Sequence, residues 1–188
     1  MSKQYWKPGN MLYPVPAVMI SCQEKGKRPN IITDAWAGTI CSDPVMVSIS
    51  VRKERFSHDI IKNSGEFVIN LVTEELAFAT DYCGVKSGKN TDKFKDMKLT
   101  PISIEGVSAP AIAESPLSLA CKVKEIKELG SHDMFIAEVV GVTVDEKYMN
   151  ENGKFELNSS KLVTYSHGEY FGLGKKIGKF GYSVKKKK

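Results

Sequence analysis

The 188-residue sequence lacks any apolar run near the ~18 residues that a membrane-crossing helix needs, and its first residues, Met-Ser-Lys-Gln-Tyr-Trp-Lys-Pro, lack the apolar core of a signal peptide. A cytoplasmic protein with no membrane partner is expected. Cysteine is sparse: Cys22, Cys41, Cys83 and Cys121 stand far apart with no C-x-x-C. That spacing excludes a zinc ribbon and a thioredoxin-type redox pair, and it reads as buried thiols in a reducing compartment. Histidine is scarcer still. His58, His132 and His167 form no H-x-x-x-H arrangement, so no protein-built metal site is expected.

Several nucleotide and hydrolase signatures are also missing. There is no G-x-G-x-x-G and no Walker A motif; Gly172-Leu-Gly174-Lys-Lys-Ile-Gly178 has one residue too many and no strand-to-helix setting. Ser57-His58-Asp59 and Ser131-His132-Asp133 are contiguous Ser-His-Asp runs. Sequence neighbours cannot converge as a relay, and no G-x-S-x-G elbow accompanies them. We read the first run as a helix start and the second as a turn. The net charge is +5, but four positive charges are the terminal Lys185 to Lys188, leaving +1 on the rest of the chain. No basic helix joins this tail, so nucleic acid is not an expected partner.

What is present suits a single soluble domain over residues 1–184 with a basic tail at 185–188. Apolar residues make up 41% and charged residues 26%, and a chain this long buries roughly 70% of its unfolded surface. Val15 to Cys22 reads as a strand. Val45 to Val51 alternates, with Val45, Val47, Ile49 and Val51 on one face. Phe56 to Ser64 reads as a helix capped by Ser57 and ended by Gly65. Glu66 to Val72 is a strand, Thr73 caps a second helix ending near Cys83-Gly84, and a third helix runs from Thr91 to about Met97. Leu117, Leu119, Cys121 and Val123 alternate with Ser118, Ala120, Lys122 and Lys124. Met134 to Val144 is apolar on both faces, as in a central strand, and a hairpin turn precedes it. Leu162 to Tyr165 is a short strand. Long antiparallel strands with few short helices predict a mainly β barrel, not a doubly wound α/β fold.

The segment Asn30 to Thr39, with Ser50 to Lys53 downstream, combines small polar side chains, two small residues and Trp36 between strand-like runs. A flat ring needs close backbone approach and an aromatic neighbour; a phosphate needs Arg, hydroxyls and free N–H groups. Flavin mononucleotide (FMN) has both parts. Arg52 at a strand end, Ser57 at a helix start and Lys93 are the phosphate candidates. Trp36 reads equally as a ring neighbour or a core aromatic.

The chain resembles flavoredoxins, within the flavin reductase-like, FMN-binding split-barrel proteins. The matching pieces run in order. They are Asn30-Ile-Ile-Thr33 with Ala35-Trp36, Pro44 with Val47 to Ser50, Arg52 with Phe56-Ser57, and Gly65 to Leu71. Asp81 to Gly84, Ser87-Gly88, Asp92 to Phe94, Cys121-Lys122 and Gly130 to Asp133 follow. The resemblance implies a homodimer of Greek-key split barrels with non-covalent FMN near the dimer interface. It implies that Asn30, Thr33, Ala35, Trp36 and Thr39 line the isoalloxazine. Ser50, Arg52, Phe56 and Ser57 would hold the ribityl-phosphate, and Cys83, Gly84, Ser87, Gly88 and Lys93 would close the site. His132 would face the flavin or a nicotinamide as the catalytic candidate. The chain departs from the pattern at Ser131, where reductases of the family often carry Asp. Three activities are consistent with the resemblance: an NAD(P)H-dependent flavin reductase, an electron carrier that keeps its FMN for a protein redox partner, and a non-catalytic FMN-binding protein.

Overall fold

A computed structural model describes residues 1–184; the lysine run 185–188 lies outside the described residues. The strands are β1 (Val15–Pro16), β2 (Val18–Cys22), β3 (Asn30–Asp34), β4 (Ala37–Ser42), β5 (Val45–Arg52), β6 (Glu66–Leu71), β7 (Pro101–Ile102), β8 (Ala111–Ile112), β9 (Leu117–Glu128), β10 (His132–Val144), β11 (Val163–Ser166) and β12 (Glu169–Gly172). The α-helices are α1 (Phe56–Ser64), α2 (Ala77–Val85) and α3 (Lys93–Asp96). None of these helices is long and apolar enough to cross a membrane.

The main sheet is antiparallel, in the order β3-β2-β6-β9-β10-β5-β4. Its two edge strands, β3 and β4, are consecutive in the chain and separated only by Ala35 and Trp36. Two residues span only a few ångströms, so the sheet curls until its edges meet. They meet without pairing, and the result is an open, Greek-key split barrel. The seam between the edges is where the chain leaves a groove.

Alternation explains how the barrel is filled and covered. Val47, Ile49 and Val51 of β5 point inward with Ile20, Phe67 and Phe135. Each buried side chain of this size contributes about 1.5–3 kcal/mol. On the opposite face of β2 and β3, Met19 and Ile31 pack with Cys83 of α2 and Phe94 of α3. Both faces of these strands are therefore buried, and the one polar side chain of β2, Ser21, is satisfied by donating to the Pro110 carbonyl at 2.5 Å.

Several local expectations change. Arg55, not Ser57, stands at the N-cap of α1; Ser57 lies in the first turn with its hydroxyl engaged by Asn30. Gly65 does end the helix, at φ 70°, a left-handed conformation that suits glycine. Thr73 precedes a short 3-10 turn, Glu74–Leu76, without a side-chain cap. The third helix is shorter than Thr91 to Met97: it spans Lys93–Asp96, and Asp92 caps it by accepting from the Lys95 N–H at 3.2 Å. Ser118 and Ala120 are buried rather than outward, because Ala109 and Ala111 cover that face and Ser118 donates to Asn70. The far half of β10 exposes Val140, Val142 and Val144, so only its first half is a central strand. Val45 is also exposed, at the start of β5. The Gly168 region forms β12, which joins β1 and β11 in a small three-stranded sheet.

Candidate functional site

The seam holds two adjoining cavities, about 330 and 320 Å3, that share Ile32, Arg52 and Arg55. Together they form one groove with chemically distinct ends.

The first chamber is walled largely by aromatic side chains. The chain turns from β3 into β4 here because Asp34 Oδ1 accepts the Trp36 N–H at 2.9 Å, an Asx turn. The Ser50 N–H bonds the Trp36 carbonyl at 3.0 Å and holds this turn against β5. The Trp36 ring lies 4.4 Å from the His132 ring, tilted by 39°, and Ser131 Oγ lies 2.8 Å from His132 Nδ1. Burial and the nearby Arg52 charge hold His132 below the usual histidine range. Tyr13, Tyr165 and Tyr170 also line this chamber, Tyr165 and Tyr170 meeting edge to face at 5.5 Å. Asp34 is buried, and burial pushes its carboxyl up to about 6 despite the Trp36 N–H that it accepts. Its second oxygen, Oδ2, has no partner.

The second chamber is polar and cationic. Asn30 Nδ2 donates to Ser57 Oγ at 2.7 Å. Gly88 passes so close that a Cβ there would lie 1.9 Å from Asn30 Oδ1, so no side chain is tolerated without displacing the amide. Lys93 is buried and donates to the Ile31 and Cys83 carbonyls at 2.6 and 2.7 Å. An ammonium has three donors, so one is left over. Burial lowers the Lys93 pKa to about 8. At the junction, Arg55 donates to the Gly84 carbonyl, and Arg52 pairs with Glu54 at 3.3 Å.

The structure thus brings Thr33, Ala35, Trp36, Ser50, Arg52, Gly84 and His132 to the first chamber. Asn30, Phe56, Ser57, Ser87, Gly88 and Lys93 line the second, which Arg52 also reaches. Two residues change ends: Asn30 sits at the polar end, and Ser50 at the aromatic end. Two fall outside the groove. Thr39 is exposed on β4, beyond the register at which that strand faces the chamber. Cys83 points into the apolar layer between α2 and the sheet, and burial pushes its thiol up to about 11. Arg55, Asp34 and the three tyrosines are additions. Arg55 could have been suspected from its place just before a helix. The tyrosines could not, since Tyr13 and the β11–β12 hairpin are some 150 residues apart in the chain and meet through one short sheet.

These features fit a flavin nucleotide: a chamber with aromatic walls and an unpartnered buried acceptor, joined to hydroxyls, guanidinium groups and a buried ammonium. The flavin reductase like domain model matches residues 10–174. A solved flavoredoxin of Desulfovibrio vulgaris (Miyazaki F) is 31% identical, with 98% of this chain and all of that chain covered and a TM-score of 0.89. A flavoredoxin from Methanosarcina acetivorans is 25% identical at the same coverage, with a TM-score of 0.87. An uncharacterized protein of Archaeoglobus fulgidus is 30% identical over 85% of this chain and 88% of its own length. With the split barrel and its two-chambered groove on the page, this match over most of the chain makes the protein a member of the flavin reductase like domain family.

Proposed function

We propose that the protein binds FMN non-covalently in the seam groove and acts as an NAD(P)H-dependent flavin oxidoreductase. The observation that carries this reading is the junction: one continuous groove is aromatic at one end and cationic at the other, with Arg52 and Arg55 shared by both. Bound flavin would supply the hydride and electron chemistry. The protein's part is binding and orientation. Arg52, Ser57 and Lys93 hold the phosphate, Gly88 allows close approach, and Trp36 and Tyr13 limit water at the ring end. The Asp34 carboxylate, lacking a partner on Oδ2, offers an acceptor to a ring N–H. His132, tilted against the Trp36 ring and kept neutral more readily by burial, would touch a bound donor and serve as the catalytic side chain.

A second reading has its own support. The 31% identity to a flavoredoxin over nearly the whole chain favours an electron carrier that retains its FMN and serves a protein partner. Stopped-flow mixing of the yellow holoprotein with NADH or NADPH separates the two. Rapid bleaching of the flavin supports the reductase; no bleaching with either donor removes it and leaves the carrier. A colourless preparation that takes up no FMN overturns both readings. The four free thiols support a reducing compartment such as the cytoplasm.

A further inference from the structure

The two Ser-His-Asp runs form no relay within themselves, but they meet each other. His58 Nε2 lies 2.9 Å from Asp133 Oδ2, across 75 residues of sequence, and both side chains are nearly inaccessible. His58 Nδ1 reaches the surface carboxylate of Asp59 at 3.0 Å, and its ring meets Phe135 edge-on at 5.5 Å. Lys53 Nζ lies 3.2 Å from the other Asp133 oxygen, as an ion pair without hydrogen-bond geometry. Burial disfavours the Asp133 carboxylate, yet His58 and Lys53 hold it below its usual range.

The position of this cluster is what matters. Lys53 and His58 bracket the segment that carries Arg55, Phe56 and Ser57, with Arg52 just before it. That segment's internal bonds, Arg55 N–H to the Arg52 carbonyl and His58 N–H to the Arg55 carbonyl, shape the turn, while Asn30 of β3 holds Ser57 and the Gly84 carbonyl holds Arg55. Asp133 ties the two ends of the same segment, Lys53 and His58, to strand β10, one residue beyond His132, and His132 itself faces Arg52 in the β5–β10 register. A buried carboxylate such as Asp133 needs partners, and removing one leaves it uncompensated. The value of those partners here is placement.

We propose that the Asp133–His58–Lys53 cluster is positioning machinery for the phosphate chamber, and that it sets the preference for a phosphorylated flavin over the same flavin without phosphate. The proposal rests on the FMN reading above. Asp133 draws both ends of the segment onto β10 and so fixes Arg55, Ser57 and Arg52 at the spacing a phosphate requires, while the ring chamber keeps its own walls.

The test titrates full-length apoprotein with FMN and with riboflavin, following flavin fluorescence. In the wild type FMN is preferred. In Asp133→Asn and His58→Gln, FMN affinity falls about tenfold or more, the scale of a lost charge-assisted contact, while riboflavin affinity stays within about twofold. Lys53→Arg retains the preference; Lys53→Met, at a half-exposed position, reduces it. If Asp133→Asn does not fold, Lys53→Met and His58→Gln decide. An unchanged FMN-to-riboflavin ratio, or an equal loss of both flavins, overturns the proposal. Wild type that shows no flavin binding at all instead removes the FMN reading itself.

Discussion

Lys93 is a cation stored inside the protein, and its environment makes a pH forecast of definite sign. Burial lowers its pKa to about 8, against about 10.4 in an unfolded chain. Between those values the unfolded chain binds more protons, so this group's contribution to the stability of the flavin-free protein rises with pH. FMN affinity moves the other way. A phosphate held by the ammonium is bound fully below pH 8, and affinity declines as pH rises above it. Cys22 and Cys83, the buried thiols nearby, are pushed up to about 12 and 11, so they do not titrate in that window. Fluorescence titrations from pH 7 to 9.5 should show the decline in wild type and a flat profile in Lys93→Met; a flat wild-type profile would detach Lys93 from the phosphate. Arg52→Ala should weaken FMN by roughly tenfold or more, as a charge-assisted bidentate partner is lost. Undiminished affinity in that variant would put the phosphate elsewhere.

At the scale of elements, the turn between β3 and β4 carries a cost that a single substitution exposes. Asp34 makes the turn through one oxygen and buries the other without a partner. Its carboxyl, raised to about 6, holds more protons in the folded chain than in the unfolded one between about pH 4 and 6. Stability therefore falls as pH rises through that window, by roughly 3 kcal/mol at most. Asp34→Asn keeps the acceptor for Trp36 and removes the charge. In flavin-free protein it should melt above wild type at pH 7.5, with the gap closing by about pH 4.5; a gap independent of pH would mean that Asp34 does not titrate there. Such features mark the limit of what the sequence reveals. Strand β5 was legible because one of its faces meets the core and the other does not, and Gly65 because a helix end needs its φ. Arg52, Ser57 and Trp36 were legible as chemistry suited to a phosphate and a ring. The burial of Ser118 and Ala120 was not, because a distant segment covers them. Nor was the His58–Asp133 pair, since local spacing says nothing of contacts across 75 residues.

The whole molecule leaves its apolar side chains unevenly distributed, and that distribution argues for a second copy. Residues 1–12 form no secondary structure and project Tyr5 and Trp6 into solvent. The other end of the described chain does the same with Ile177 and Phe180, the latter wholly exposed. Segments that are large, apolar and unpacked bury little within one chain, and such patches mark association surfaces. The edge strand β4 adds Ile40, and the outer half of β10 adds Val142. The N-terminal arm also lines a further cavity, in which Met11 and Leu12 share a wall with Tyr13 and Trp36 of the aromatic chamber, so association and flavin retention should be linked. The protein is accordingly expected to sediment at twice its 20.8 kDa chain mass. The dimer should persist in 1 M salt, because an apolar contact is not screened as ion pairs are. Trp6→Lys combined with Phe180→Lys should shift it toward monomer and release FMN more readily. A wild-type monomer would show that the arms cover no partner and that the groove works within a single chain. A dimer that dissociates in salt would move the interface away from the arms and onto the charged faces of the barrel.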